Sequence, residues 1–144
     1  MDFYYRFFEN DTLLIQKFVG EWSTPDYEKY INFSAKLENV KHLKKILTDL
    51  TDVTLKHMKY NELILEIGNL IKIRDKITNT EYLNVFRVSA PNLTVVTQLY
   101  QSIQVKKGLN YEFCSTFEQA IKLLDITYTE SQLENLINSL DNKF

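Results

Sequence analysis

Apolar and polar residues change their period along this chain, and the changes divide it into elements. Residues 3–8 are aromatic-rich and suited to a strand. Asn10 and Asp11 make a turn, and residues 13–19 read as a second strand. Two such runs with a short Asn/Asp connection predict an antiparallel hairpin, closed by Gly20. Ser23-Thr24-Pro25-Asp26 predicts a helix start. A hydroxyl there accepts from free backbone N–H groups, proline suits the first turn, and aspartate favours the positive end of the helix dipole. Tyr27, Tyr30, Ile31, Phe33 and Leu37 then recur at helical spacing, and the pattern fades near Asn39.

Residues 44–53 read as the central strand, with Ile46, Leu47 and Leu50 apolar. It is expected to end in a polar turn crowded by Asp49, Asp52 and the hydroxyls of Thr48, Thr51 and Thr54. Apolar residues at three- and four-residue spacing predict a long helix over 59–76, and Gly68 inside it costs about 1 kcal/mol relative to alanine. A break at Asn79-Thr80 precedes a strand over 82–88, a helix over 92–103, a loop over 106–108 and a short strand over 110–114. Capping-box patterns at Ser115-Thr116-Phe117-Glu118-Gln119 and Thr129-Glu130-Ser131-Gln132 each open a further helix. Leu133, Leu136, Ile137 and Leu140 give the last one an apolar face.

The resulting order, β-β-α-β-α-β-α-β-α-α, predicts an α/β fold: a mixed sheet of about five strands, with an antiparallel hairpin followed by parallel crossover units. A single domain is expected over residues 1–126, with a helical extension over 127–144 packed on it. A length of 144 residues, 44% hydrophobic and 13% aromatic, suits one globular core.

Charge and cysteine content narrow the function classes. The formal net charge of −2 gives no electrostatic reason to bind nucleic acid, and the basic group Lys41, His42, Lys44 and Lys45 reads as a solvated strand entry. Cys114 is the single cysteine, so no internal disulfide forms, and it reads as a small buried hydrophobe. No window is long enough for a transmembrane helix, the N-terminus is no signal peptide, and a cytoplasmic location is expected. No cofactor or metal signature is present.

The residues after the central strand's midpoint carry the candidate chemistry: Asp49, Thr51, Asp52, Thr54, Lys56 and His57. Open α/β sheets bind ligands beyond the carboxyl ends of their strands. Three uses follow. A non-catalytic regulatory domain would bind a protein partner there, or a second copy of itself. A carrier would instead hold an apolar small molecule among the aromatics Phe3, Tyr4, Tyr5, Phe7, Phe8, Trp22, Tyr27, Tyr30 and Phe33. An enzyme would use Asp49, Asp52 and His57 for a metal or for acid–base work. The first is the primary expectation, and no catalytic residue is assigned. An uncovered edge at residues 3–8 is a further route to a homodimer.

The middle strand Lys45-Ile46-Leu47-Thr48-Asp49 and the terminal Phe117-Glu118-Gln119-Ala120-Ile121-Lys122-Leu123-Leu124 resemble the STAS-like superfamily over roughly residues 10–126. That group holds anti-sigma-factor antagonists and small bacterial proteins likened to lipid-binding domains. In antagonists an Asp-Ser-Ser/Thr-Gly turn follows the central strand, and its third position is phosphorylated. The resemblance implies Thr51 as phosphoacceptor within Asp49-Leu50-Thr51-Asp52. Leu50 and Asp52 depart from the pattern: the glycine is missing, and Asp52 sets a negative charge beside an incoming phosphate.

Overall fold

The computed structural model describes residues 1–55, 60–75, 82–106 and 109–144. Lys56, His57, Asn79, Thr80, Lys107 and Gly108, for which the sequence raises expectations, lie outside these residues. Strands β1 (Asp2–Phe8) and β2 (Leu13–Glu21) form the expected hairpin. Its connection places Glu9, Asn10 and Asp11 at positive φ (53°, 53° and 68°). Asn and Asp tolerate that region better than most residues.

Helix α1 (Thr24–Ser34) leads to a 3-10 turn over Glu38–His42 and then to β3 (Lys45–Thr54). Helix α2 (Tyr60–Asp75), β4 (Leu83–Arg87), α3 (Pro91–Lys106), β5 (Tyr111–Cys114), α4 (Phe117–Leu124) and α5 (Glu130–Asn138) follow, and the chain ends in β6 (Asn142–Lys143). The caps are those the sequence marks. Ser23 accepts from the Asp26 amide, Thr116 from the Gln119 amide, and Thr129 with Gln132 closes a capping box.

The fold class is α/β with a mixed sheet, as expected, but the sheet has six strands rather than about five, in the order β5-β4-β3-β2-β1-β6. Strands β2 to β5 are parallel, and β1 pairs antiparallel with both β2 and β6. The sixth strand corrects the expectation of an open hairpin edge. Tyr4 and Tyr5 pair with Lys143 and Asn142, and the Phe144 amide donates to the Phe3 carbonyl at 3.0 Å. A two-residue strand carries too little periodicity to be read from sequence.

Alternation along each strand sends side chains to two faces. On one face Leu13, Ile15, Leu47, Val85 and Cys114 meet Ala120 and Leu124 of α4 and Leu133 and Ile137 of α5. On the other, Phe3, Phe18, Leu50 and Val88 meet Tyr30 of α1 and Leu93 of α3, and Tyr111 meets Leu70 of α2 and Tyr100 of α3. The three crossover helices therefore lie on one face, and α4 and α5 cover the other. The apolar stripe of α5 is spent on this packing.

Candidate functional site

The expected polar turn at Asp49 is strand. β3 continues to Thr54, so Asp49, Thr51, Asp52 and Thr54 all lie within it. β-branched threonines and Val53 favour extension here, and Asp49 reshapes the strand without ending it. Lys17 of β2 pairs with Asp49 and Val19 with Asp52, so Leu50 and Thr51 together oppose Phe18 alone. This is a β-bulge. Asp49 Oδ1 accepts from the Thr51 amide at 3.0 Å and from the Thr51 hydroxyl at 2.8 Å. The backbone N–H freed by the bulge is thus satisfied by the aspartate.

Asp49 is fully buried. Its Oδ2 accepts from Arg87 Nη2 of β4 at 2.9 Å, and the same nitrogen donates to Thr51 Oγ1 at 3.2 Å. The Arg87 guanidinium lies 3.9 Å from the centre of the Phe117 ring, at the start of α4. Asp49 is therefore a structural tie between β3, β4 and α4. The bulge brings Asp52 to the same face, where its carboxylate meets Lys17 Nζ at 2.7 Å. Each carboxylate has its own cation, Arg87 for Asp49 and Lys17 for Asp52. Among the described residues no group of three His, Cys, Asp or Glu side chains is placed to hold a metal.

Thr51 is half-buried, and its hydroxyl both donates to Asp49 and accepts from Arg87. This differs from the exposed turn in which the resemblance sets a phosphoacceptor. Asp52 and Thr54 are exposed on the sheet's carboxyl rim. Nearby, burial pushes the Cys114 thiol up to about 11, with the Arg87 charge opposing and the Asp49 charge adding to the shift. It is a packed, protonated side chain at neutral pH and no nucleophile.

A second candidate lies on the opposite face, between the sheet and α1, α2 and α3. An apolar lobe of about 60 Å³ is walled by Phe18, Trp22, Tyr27, Leu50, Phe86 and Tyr100, among others. Its charged neighbour is Glu66 of α2, which accepts from the Thr24 hydroxyl, itself the acceptor of the Trp22 indole N–H at 3.0 Å. A polar lobe of about 50 Å³ adjoins it, with Phe18, Tyr27 and Phe86 in both walls. These three rings form the partition.

The floor of the polar lobe is a row of side chains across three strands: Gln16, Thr48 and Asn84. Gln16 pairs with Thr48 and Ile46 with Asn84, so the row is set by parallel register. The Tyr30 hydroxyl donates to Gln16 Oε1 at 2.5 Å, Gln16 Nε2 donates to Thr48 Oγ1 at 2.7 Å, and the Thr48 hydroxyl donates to Asn84 Oδ1 at 3.1 Å. Burial raises the Tyr30 phenol far above its ordinary value, so it keeps its proton. Asn84 is 7% exposed.

Of the aromatics expected to supply an apolar site, Trp22 and Tyr27 line the lobes, and Tyr30 anchors the polar row. Phe3 packs in the core, stacked on Tyr30 at 4.5 Å. The row itself went unread in the sequence. Its signal is parity: Gln16, Thr48 and Asn84 occupy the inward positions shared with Phe18, Leu50 and Phe86, where an ordinary core strand is apolar. No protein-family model and no curated protein matches the chain.

Proposed function

We propose that this chain is a non-catalytic binding domain of STAS-like architecture, which holds a small apolar molecule between its sheet and helices α1–α3 as a carrier or sensor. The observation that carries the reading is the aromatic-walled space beside Trp22 and Tyr27, joined to a hydrogen-bonded polar row. Ordinary cores are packed without such space, and ligand sites are apolar hollows with a few convergent polar groups. Drug-sized and lipid ligands take roughly 300 Å³ or more. The two lobes, about 60 and 50 Å³, are smaller than the apolar cavity of about 150 Å³ that takes a benzene molecule, so even a one-ring ligand requires the side chains of the partition to move.

A second reading, the regulatory protein-interaction domain, draws support from the sheet's carboxyl rim. β4 pairs with β3 only from Lys45 to Asp49, so Leu50–Thr54 extends past it and sets Asp52 and Thr54 in solvent. Such an overhanging strand can receive a partner's backbone. A phosphorylated Thr51 belongs to this reading.

Native and denaturing mass spectra of protein purified gently from its own host separate the two. The small-molecule reading predicts a noncovalent adduct that denaturation removes. A chain without adduct that carries a phosphoryl group on Thr51, or that travels with a second protein, would favour the rim.

A further inference from the structure

Of the seven large hydrophobic side chains exposed among the described residues, five lie on α2 and α3: Ile64, Leu65, Val95, Leu99 and Val105. The two helices are in contact and run parallel, because each crosses from one parallel strand to the next on the same face of the sheet. Leu70, Leu93 and Tyr100 turn their inner sides to the core, so these five lie outside. The outer side also lacks the charges that usually solvate a helix. From Pro91 to Val105, α3 has no charged residue, whereas α4 presents the ion pair Glu118–Lys122 to solvent. Apolar surface poor in charge is the composition of an interface core. Gly68 follows Leu65 by three residues and Ile64 by four, which puts it on their side of α2. A Cβ there would meet nothing within 4 Å, so no described contact inside the chain requires this mid-helix glycine. A helix packed closely on that side from outside would require it.

We propose that the outer face of α2 and α3 is a self-association surface, on which a second copy of this chain packs about a two-fold axis with its helices antiparallel. Such an axis makes one patch serve both partners. The occupant of this face must itself be apolar and free of charge, and the chain carries such a face. The helix ends agree in charge. An exposed lysine stands near the end of each helix, Lys72 on α2 and Lys106 on α3, and Glu62 stands in the first turn of α2. The antiparallel arrangement sets Glu62 of one copy beside the lysine ends of the other and opposes the helix dipoles. Gly68 and Leu99 are each the ninth of sixteen helical residues, so the axis passes near both. The proposal is independent of the small-molecule reading.

Sedimentation of the intact chain over a concentration series tests this. The parent should pass reversibly from one chain mass to two. Leu65 is 68% exposed and Leu99 38%, so charged substitutions there leave the fold in place. Leu65→Glu enters the pair twice and should weaken association about tenfold for each copy, or about a hundredfold in all. Leu99→Lys and Leu99→Glu should each stay single through like-charge repulsion near the axis, and an equimolar mixture of the two should recover the pair. In the parent, backbone amide resonances of α2 and α3 should shift with concentration while those of α5 stay in place, which keeps the test decisive if a variant does not fold. A parent that stays single at every concentration would overturn the proposal and leave the face to a different protein. A pair that survives Leu65→Glu and both Leu99 variants undiminished would place the contact elsewhere and overturn it too. So would a mixture of the two Leu99 variants that stays single.

Discussion

Asp49 is the position where a functional and a structural role predict opposite results. Its carboxylate accepts from the Thr51 amide, the Thr51 hydroxyl and Arg87 Nη2, at 3.0, 2.8 and 2.9 Å. The Asp49 side chain is 1% exposed and that of Arg87 15%, so solvent does little to screen the pair. Asp49→Ala leaves one backbone N–H and one hydroxyl without an acceptor and deprives the Arg87 guanidinium of its carboxylate, with Thr51 Oγ1 still accepting from it. Removing one partner of a buried ion pair costs about 3–5 kcal/mol, and the loss of the bulge's amide acceptor places this variant at the upper end. Arg87→Met leaves the carboxylate its two Thr51 donors, and about 3 kcal/mol is expected. Because both variants break one contact, the double variant Asp49→Ala/Arg87→Met should cost less than the sum by at least about 1 kcal/mol. Urea unfolding followed through Trp22 emission measures all three, with an unchanged slope confirming that the same structure unfolds. An Asp49→Ala variant within about 1 kcal/mol of the parent, or single costs that simply add, would refute the structural role assigned to this residue.

Two further perturbations follow from the backbone and from Cys114. Gly20 has φ +102°, whereas a Cβ built at Gly68 in α2 meets nothing within 4 Å. Gly20→Ala should therefore destabilise by about 1 kcal/mol or more, and Gly68→Ala should stabilise by up to about 1 kcal/mol, both read as midpoints of thermal or urea unfolding. Cys114 titrates in the folded chain near 11 against an ordinary 9.0. The unfolded chain thus holds fewer thiol protons between these values, so this contribution to stability is complete below pH 9 and is lost as pH rises toward 11. At pH 8 iodoacetamide should label the native thiol far more slowly than the unfolded one, and equal rates would contradict its burial.

Much of the fold was legible because period and capping are local. Ser23, Thr116 and Thr129 mark helix starts within a few residues, and the switch from two-residue to helical spacing separates strands from crossovers. The errors are those of long-range pairing. Asp49 beside three threonines looks like a turn in sequence. Only the Arg87 side chain, 38 residues away, and the unequal pairing with β2 turn it into a bulge inside a strand. The closing strand β6 is too short to announce itself, and it exists because Tyr4 and Tyr5 offer it an edge. The row Gln16–Thr48–Asn84 needs three strands in register before it becomes a row at all. Each member alone is an ordinary polar residue, and the sum appears once β2, β3 and β4 are aligned.

The central claim is that the space between the sheet and helices α1–α3 is a binding site. Filling it tests this most directly. Val96 of α3 lines the apolar lobe, and Val96→Phe would occupy much of its volume of about 60 Å³. Native mass spectra of the parent and of this variant, prepared side by side from the same host, should show a dissociable adduct on the parent and none on the variant, with the circular dichroism of both unchanged. The same adduct on both chains at equal occupancy would contradict the account.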